Sequence, residues 1–289
     1  MSQKRARMVV VAGAVALAGL FLSTSAVQAG ENRGRISLNA GVDFPTAYYF
    51  RGILQEKNGF FAQPYGDVTI NLYEAEKGLN SVDATVGVWN SFQTKSPGVP
   101  DDPTGWYEVD LYGGVTVGFL DNWEVGGIYT AYISPNDSFE TTQEIAFSLA
   151  YDDSDLLGTF SLSPHFLVAV EFQGGGATGP DLGTYIELGV EPGLTLIESE
   201  EYPVSLSIPL TLGLSAGNYY QDPTGRDSTF GYFDGGLIFS VPLAFIPVDY
   251  GSWDFSAGVH LLALGDSTKA INNDDSFEAI GIFGISLSY

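Results

Sequence analysis

The segment FEAIGIFGISLSY, from Phe277 to Tyr289, indicates the fold class, because its residues alternate regularly between two kinds of side chain. Counting by twos from Phe277 gives a set that is apolar throughout and ends on an aromatic residue, Tyr289. The intervening set, which begins at Glu278, is mixed and partly polar. Since successive side chains point to opposite faces of a strand, the segment is predicted to be a strand with one apolar face and one wetter face.

The same alternation recurs upstream along the whole chain. The twelve predicted strands cover residues 35–44, 60–72, 82–92, 106–119, 123–133, 138–151, 159–172, 184–196, 204–216, 230–243, 252–264 and 277–289. Many such strands, with a regular apolar face and an often charged opposite face, predict an all-β fold, a transmembrane antiparallel up-and-down β-barrel of about 12 strands. The alternative is a soluble β-sandwich with a buried apolar face.

The start of the chain is predicted to be a secretory signal peptide covering residues 1–29. Three basic residues precede the apolar run 8–22, and a small-residue cleavage motif ends at Ala29. This run is too short and wrongly flanked for a stable membrane-spanning helix. Residues 30–289 are then predicted to form an outer-membrane β-barrel. A final amphipathic strand that ends on an aromatic residue also resembles the sorting signal of bacterial outer-membrane proteins.

The composition argues against a nucleic-acid partner. The formal net charge is −24, and binding to nucleic acid needs clustered Lys and Arg, so no nucleic-acid partner is expected. The chain has no cysteine, which agrees with an exported protein that needs no disulfides. The expected partners are outer-membrane lipid and small solutes or cations, and the pattern specifies no oligomeric state.

An even number of strands places both chain termini on the periplasmic side, with longer loops at the outer end. The first outer loop is predicted to cover residues 45–58. Aromatic residues on the apolar faces are predicted to form two girdles at the membrane interfaces. The inner girdle comprises Phe119, Trp123, Tyr151, Phe160, Trp253 and Tyr289, and the outer girdle comprises Phe44, Phe92, Tyr107, Phe139, Phe172 and Phe277.

Acidic residues recur on the predicted inward faces, where no strand contains Lys or Arg apart from Arg35 at the start of the first. The predicted pore-lining residues are Asp43, Asp67, Glu108, Asp110, Glu140, Glu144, Glu171, Glu187, Asp234 and Glu278. Unpaired carboxylates in a dry core would be very costly, so they predict a wet, negative lumen that prefers cations. Two alternatives stay open: hydrated wall residues without selectivity, or acids that pair with loop cations folded inward.

Bulky residues on the inward faces favour a second function. The predicted inward aromatic residues are Trp89, Trp106, Tyr112, Tyr132, Tyr185 and Tyr232. They could narrow or close a twelve-stranded barrel, which lies between side-chain-filled and open barrels in size. The predicted function is a porin or channel for small solutes. The alternative is a non-conducting structural or adhesive outer-membrane barrel.

Three short motifs carry a family resemblance. They are PTAYYFRGILQ (45–55), GVWNS (87–91) and YEVDLYGG (107–114), and the residues concerned are Tyr48, Arg51, Gly52, Trp89, Ser91, Asp110, Tyr112 and Gly114. Together they resemble the TorF-type (Gcw_chp) outer-membrane porin family, within roughly the first 120 residues. The resemblance implies location and fold more than substrate.

Arg51 is the lone cation in its motif, next to a lumen with surplus acids. Since arginine suits bidentate pairing with carboxylates, we expect Arg51 to reach inward to an acid. The alternative is an exposed arginine at the rim of the barrel.

The chain is not expected to be an enzyme, and no catalytic residue, metal site or cofactor is predicted. A barrel hydrolase would need a histidine beside a serine or an acid, and His165 and His260 lack the His-x-Ser-Asn pattern of the twelve-stranded phospholipase. The acidic clusters 101–102 and 272–275 could bind Ca²⁺, but they lack EF-hand spacing.

Overall fold

A computed structural model of the chain describes residues 34–95, 105–179, 181–199 and 201–289. The predicted signal peptide and the acidic cluster 101–102 lie outside the described residues. Within the described ranges, no helix has both the length and the apolar character needed to cross a membrane.

The described chain is built almost entirely from strands. In chain order they are β1 (Ile36–Pro45), β2 (Tyr48–Phe50), β3 (Ile53–Glu56), β4 (Phe61–Glu74), β5 (Leu79–Gln93), β6 (Trp106–Phe119), β7 (Trp123–Ile133), β8 (Thr142–Tyr151), β9 (His165–Gln173), β10 (Thr184–Val190), β11 (Gly193–Ile197), β12 (Val204–Ser207), β13 (Leu210–Gly217), β14 (Phe230–Pro242), β15 (Ser252–Leu264) and β16 (Phe277–Ser288). Two short helices, α1 (Ser154–Leu157) and α2 (Asp266–Ile271), lie in connections. Single 3₁₀ turns occur at Gly158–Phe160 and Val248–Tyr250.

All of these strands except β2 and β3 belong to one antiparallel sheet that closes on itself. Neighbours in the chain pair in turn, and β16 closes the ring against β1, with Leu287 opposite Ala40. Two wall strands are interrupted, between β10 and β11 at Pro192 and between β12 and β13 at Pro209, because proline has no N–H for the ladder. Counting each interrupted strand once gives the predicted barrel of twelve strands, which is confirmed.

The outside of the barrel is apolar. Its exposed side chains include Val86, Leu111, Val115, Phe147, Phe239 and Phe283. Aromatic pairs lie at both ends: Phe92 stacks on Trp106 with ring centroids 5.7 Å apart, and Trp123 contacts Tyr151 at 4.7 Å. A closed sheet with no free edge and an apolar belt between aromatic ends is suited to span a bilayer. The chain is therefore a membrane β-barrel of the bacterial outer-membrane type, with lipid around its wall.

A bulge corrects two predicted orientations at the outer end of β6. The β5–β6 register passes from the pair Ser91 and Glu108 to the pair Phe92 and Trp106, so Tyr107 is an extra residue. A bulge of this kind changes the face on which the next residue lies. Trp106 is 40 % exposed and lies on the outer surface, whereas Tyr107 is buried. The predictions that Trp106 faces inward and that Tyr107 belongs to the outer girdle were wrong.

Two predicted strands begin later than their patterns suggested. The strand predicted from 138 begins at Thr142, so Glu140 precedes β8 and is exposed rather than on an inward face. Phe139, which was predicted in the outer girdle, instead contacts the ring of Tyr107 at 5.4 Å. Both assignments were wrong because the alternation of apolar and polar residues continues beyond the strand into residues 138–141. Tertiary contacts, and not strand pairing, determine where these side chains lie.

The strand predicted from 159 begins at His165. The side chain of Asp153 accepts hydrogen bonds from the backbone N–H groups of Leu162 and Ser163, both at 3.0 Å, and fixes a compact inner turn. Phe160 therefore lies in a 3₁₀ turn and not on the apolar face of a strand. Local capping of this kind competes with strand formation.

Candidate functional site in the barrel lumen

The first outer loop folds into the barrel as a hairpin. We call residues 48–56 the inward hairpin, which consists of β2, β3 and the turn between them. It forms its own two-stranded sheet, in which Phe50 pairs with Ile53. At the turn, Arg51 and Gly52 have φ angles of 48° and 78°, and such positive values favour glycine. Tyr49 at the start of the hairpin is fully buried. The outer loop predicted for residues 45–58 does connect β1 to β4, but the sequence pattern did not predict the hairpin within it.

Arg51 at the tip reaches the far wall. Its Nη1 and Nη2 donate to the two carboxylate oxygens of Glu144 on β8, at 2.6 and 2.9 Å. Nη1 also donates to Tyr219 Oη at 2.9 Å, and the guanidinium lies 4.2 Å from the ring centroid of Tyr185. Around the ring, β1 and β8 are separated by four strands one way and six the other, so the hairpin crosses the lumen. The expectation that Arg51 reaches inward to an acid is confirmed.

Two further contacts hold the backbone of the tip. Tyr220 Oη donates to the carbonyl of Arg51 at 2.9 Å. Asn272, just after α2, donates through Nδ2 to the carbonyl of Gly52 at 2.7 Å and accepts from the N–H of Leu54 at 2.9 Å. Buried backbone N–H and C=O groups need hydrogen-bond partners, and these two side chains provide them at the hairpin tip. Outer loops distant in sequence therefore fix the tip of the hairpin.

The near side of the inward hairpin contacts β5 and β6. Tyr48 Oη donates to Glu108 Oε2 at 2.7 Å, and its ring lies 5.5 Å from that of Trp89. Tyr107, the bulge residue, donates through Oη to Gln55 Oε1 at 2.8 Å. The bulge thus turns a tyrosine from the lipid side toward the hairpin.

A partly exposed ion pair, which we call the outer clasp, lies just beyond the hairpin. Lys57 Nζ lies 2.6 Å from Asp275 Oδ2 and 3.3 Å from Glu278 Oε1. The hydrogen bond from Lys57 lowers the pKa of Asp275, and the same bond raises the pKa of Lys57. The hydrogen bond therefore favours the charged forms of both Lys57 and Asp275.

The predicted pore-lining residues fall into three groups. Seven are buried in the interior: Asp43, Asp67, Glu108, Asp110, Glu144, Glu171 and Asp234. Glu187 and Glu278 are partly buried, and Glu140 is exposed. The structure brings Glu108 and Asp110 together beside Tyr48, and it pairs Glu144 with Arg51. The alternative in which acids pair with inward-folded loop cations thus describes Glu144.

The two histidines are wall partners of acids. His260 Nδ1 lies 2.8 Å from Asp234 Oδ2, and His165 Nε2 lies 3.6 Å from Glu187 Oε1. These pairs join adjacent strands, β14 with β15 and β9 with β10. Sequence reasoning missed both pairs, although inward parity on neighbouring strands could have suggested them. It also missed Tyr219, Tyr220 and Asn272, which carry no periodic signal because they lie in loops.

The charged inward side chains on one side of the lumen are all acidic, and we call this set the acidic wall. It consists of inward side chains of β4–β7, namely Asp67, Asp83, Glu108, Asp110 and Glu124. These four strands contain no Lys, Arg or His. Some of the acids accept neutral hydrogen bonds, such as Asp83 from Asn71 Nδ2 at 2.7 Å. The carboxyl groups of the acidic wall therefore have no cationic side chain beside them on β4–β7.

No family model matches the sequence, and no curated protein matches it. Solved structures with a similar fold include the β domain of the Bordetella autotransporter BrkA, which is 11 % identical over 89 % of this chain and 98 % of that chain, with a TM-score of 0.45. An outer membrane channel from Pseudomonas putida F1 is 9 % identical over 88 % and 95 %, with a TM-score of 0.45. The NanC porin is 12 % identical over 86 % and 98 %, with a TM-score of 0.40.

Proposed function

We propose that the chain is an outer-membrane channel for small solutes that prefers cations, and that the inward hairpin closes it in the conformation described. The observation that carries the proposal is how the hairpin is attached. It pairs with itself and not with the barrel sheet, and side chains hold its tip and its near side. A few side-chain contacts could therefore break and clear the lumen while the wall strands stay paired.

The preference for cations follows from the acidic wall. Carboxylates in a confined lumen raise the local concentration of positive solutes. Arg51 is the exception among the charges described in the lumen, and Glu144 already engages both of its terminal nitrogens. A solute moving along β4–β7 would meet carboxylates from the outer end, at Glu108, to the inner end, at Glu124.

Planar-bilayer recording tests whether the hairpin closes a channel. The double variant Arg51→Ala, Asn272→Ala removes the side-chain hydrogen bonds of Arg51 and Asn272 and leaves the tip only the bond from Tyr220 to the backbone carbonyl of residue 51. We expect its open probability to be well above that of the unmodified protein. The control is Arg226→Ala, because Arg226 is 74 % exposed and forms a surface ion pair with Asp222. Equal open probability of the double variant and the unmodified protein would contradict a closing hairpin.

A non-conducting structural or adhesive barrel is the second candidate. The number of contacts that anchor the hairpin favours it, because they hold both the tip and the near side of a buried segment. In that case neither the unmodified protein nor the double variant would conduct, although both would insert as folded barrels. Bilayer recording therefore separates the two candidates.

We also propose that the barrel works without catalysis. An aspartate–histidine pair such as Asp234 and His260 orients the base of a hydrolase when the second ring nitrogen faces a hydroxyl nucleophile. Here Nε2 of His260 is buried and has no hydrogen-bond partner among the described residues. The pair is better explained as a contact between two wall strands. Detectable ester or lipid hydrolysis that is lost in His260→Gln would overturn this proposal.

Kinship with the TorF-type porin family is part of the same proposal. The motif residues Tyr48, Arg51 and Gly52 form the side and tip of the inward hairpin, and Trp89 and Asp110 lie on the wall beside it. The resemblance therefore coincides with the closing element. Closure by the same hairpin in a solved structure of that family would support the assignment.

A further inference from the structure

The wall behind the inward hairpin contains a cluster of inward polar side chains, which we call the polar recess. It consists of Gln63, Ser91, Gln93, Glu108 and Asp110. Residues 62 and 65 pair with 92 and 89, so Gln63 lies opposite Ser91, and Ser91 in turn pairs with Glu108. Gln93 lies one step outward and Asp110 one step inward on the same face. Three adjacent strands therefore bring these polar groups together.

The polar recess is sealed, but several of its groups have no partner. None of its five residues is more than 5 % exposed. The atoms without a partner among the described residues include Nε2 of Gln63, Oγ of Ser91 and both polar side-chain atoms of Gln93. The carboxyl group of Asp110 has only the neighbouring carboxyl group of Glu108 as a partner. Buried polar groups in native proteins are nearly always hydrogen-bonded. Such a concentration of unpaired groups at one place indicates a site for something other than the described side chains.

The hairpin covers this site with one hydrogen bond. Tyr48 Oη donates to Glu108 at 2.7 Å, and the Tyr48 ring packs against Trp89 and Tyr107. A solute with N–H or O–H groups could donate the same hydrogen bond to Glu108 that the hydroxyl group of Tyr48 donates. Tyr48 therefore occupies the position in which such a solute would bind.

We propose that the polar recess binds a small organic ammonium cation, and that this cation and Tyr48 of the inward hairpin exclude each other. Two carboxylates and the carboxamide oxygens would accept from the ammonium group, and the aromatic rings nearby suit a cation. No Lys, Arg or His from β4–β6 competes for these carboxylates. A metal ion fits less well, because the described residues hold no metal-spaced group of three or more His, Cys, Asp or Glu.

The proposal deepens the proposed function by naming the class of solute, and it rests on a hairpin that can leave the wall. It does not require conduction, because binding can be measured on the folded protein at equilibrium. Trp89 pairs with Asp110 and reports on the recess through its fluorescence. Binding without current would count against the channel alone, and current without binding would count against the recess alone.

The test is a fluorescence titration of the folded full chain with n-butylammonium chloride, with sodium chloride and calcium chloride at equal ionic strength as comparisons. We expect a saturable change with n-butylammonium alone. The variant Glu108→Gln, Asp110→Asn should weaken binding by about tenfold or more, because hydrogen bonds to charged groups are the strong ones. The control Asp254→Asn removes an inward carboxylate of β15 outside the recess and should bind normally. An equal response to sodium or calcium, or unchanged binding in the double variant, would overturn the proposal.

Two further variants complete the test. Arg51→Ala frees the hairpin tip, and it should tighten binding by about tenfold, because apparent affinity rises with the fraction of competent protein. Gln93→Leu keeps both carboxylates and should weaken binding severalfold, so it serves as the second probe of the recess if the charge-neutralised variant does not fold. Unchanged affinity in Arg51→Ala would refute mutual exclusion, and unchanged affinity in Gln93→Leu would refute the location.

Discussion

Arg51 shows how one charge can hold a segment across the lumen. Its guanidinium is buried, pairs with both oxygens of Glu144 and stacks near Tyr185. Moving a guanidinium and a carboxylate out of water costs free energy, which their mutual attraction offsets. If one partner is removed, the other remains as a buried unpaired charge. The contact therefore sets the position of the hairpin tip more than it stabilises the barrel.

The first prediction concerns this pair. Arg51→Ala leaves Glu144 buried without its cation, and we expect the free energy of unfolding to fall by about 3 kcal/mol or more. Arg226, whose side chain is 74 % exposed where it pairs with Asp222, is the matched control, and Arg226→Ala should cost less than about 1 kcal/mol. Arg51→Met combined with Glu144→Leu should recover part of the loss, since it removes both buried charges. Urea titrations of the barrel in lipid vesicles measure all three, and equal losses for the two single variants would contradict the prediction.

Gly52 is the second residue on which the hairpin tip depends. Its φ of +78° is strained for any side chain, and an added Cβ would lie 2.9 Å from Cβ of Tyr232 on the wall. The left-handed conformation alone costs about 1 kcal/mol for a non-glycine residue. The steric conflict with a wall residue adds to that cost.

We therefore expect Gly52→Ala to undock the hairpin more than the strain in φ explains. Gly225 is the matched control, because it has φ of +82° and no atom within 4 Å of an added Cβ. Gly52→Ala should cost about 1–3 kcal/mol more than Gly225→Ala, which is the usual penalty for overpacking. Urea unfolding and the rate of trypsin cleavage after Lys57 measure the difference. Similar values for the two variants would show that the tip can move away from Tyr232 freely.

At the scale of elements, the inward hairpin and α2 depend on each other. α2 ends next to Asn272, whose side chain holds the hairpin tip, and the outer clasp joins Lys57 to Asp275 in the same loop. Both contacts join the first outer loop to the last outer loop. These two loops lie on either side of the seam between β1 and β16. The seam of the barrel and the closing hairpin are therefore stabilised together.

The third prediction is a pH dependence of this clasp. Because the pKa of Asp275 is lowered, its contribution is present above the ordinary aspartate value and is lost as pH falls through the lowered value. Because the pKa of Lys57 is raised, its contribution is present below the ordinary lysine value and is lost as pH rises through the raised value. The hairpin should thus be held at neutral pH and released at both extremes.

Open probability against pH at constant ionic strength measures this release. Lys57→Met removes the clasp, so it should raise the open probability at neutral pH and flatten the response at the alkaline side. Lys269→Met is the matched control, because Lys269 lies on α2 and has no ion pair within the described ranges. An identical pH response in Lys57→Met and the unmodified protein would show that other groups govern release.

At the scale of the whole molecule, the acidic wall lies on one side of the lumen and the hairpin tip is held at the opposite side. β4–β7 carry carboxylates without strand cations, whereas β8, β10 and the loop after β13 engage Arg51. A permeation path opened by hairpin release would therefore run beside the acidic wall. The charge of that wall acts through solution and is screened by salt.

The fourth prediction follows for selectivity. In the hairpin-released variant, the zero-current potential in a salt gradient should indicate cation preference. The preference should weaken between about 0.1 M and 1 M salt, as the Debye length falls from roughly 10 Å to 3 Å. Glu108→Gln with Asp110→Asn should move the potential toward zero, whereas Glu140→Gln, at an exposed residue outside the wall, should not. Anion preference, or no change on neutralisation, would favour the non-conducting scaffold.

Alternation along the sequence was sufficient to determine the barrel, its twelve strands and the inward parity of most acids. A strand has a period of two residues, so the face of each side chain follows from its immediate neighbours and needs no distant contact. The strands 106–119, 123–133 and 252–264 have the predicted bounds for this reason. Arg51 could be expected to turn inward because it was a lone cation beside surplus acids.

The tertiary structure alone decided where the hairpin lies and what holds it. Tyr219, Tyr220 and Asn272 meet the hairpin from loops more than 160 residues away in sequence, and no local pattern specifies such contacts. The bulge at Tyr107 depends on pairing between two strands, so its reversal of Trp106 and Tyr107 was also beyond a single-strand pattern. Closure and the polar recess are properties of the space between strands, which forms only when the barrel closes.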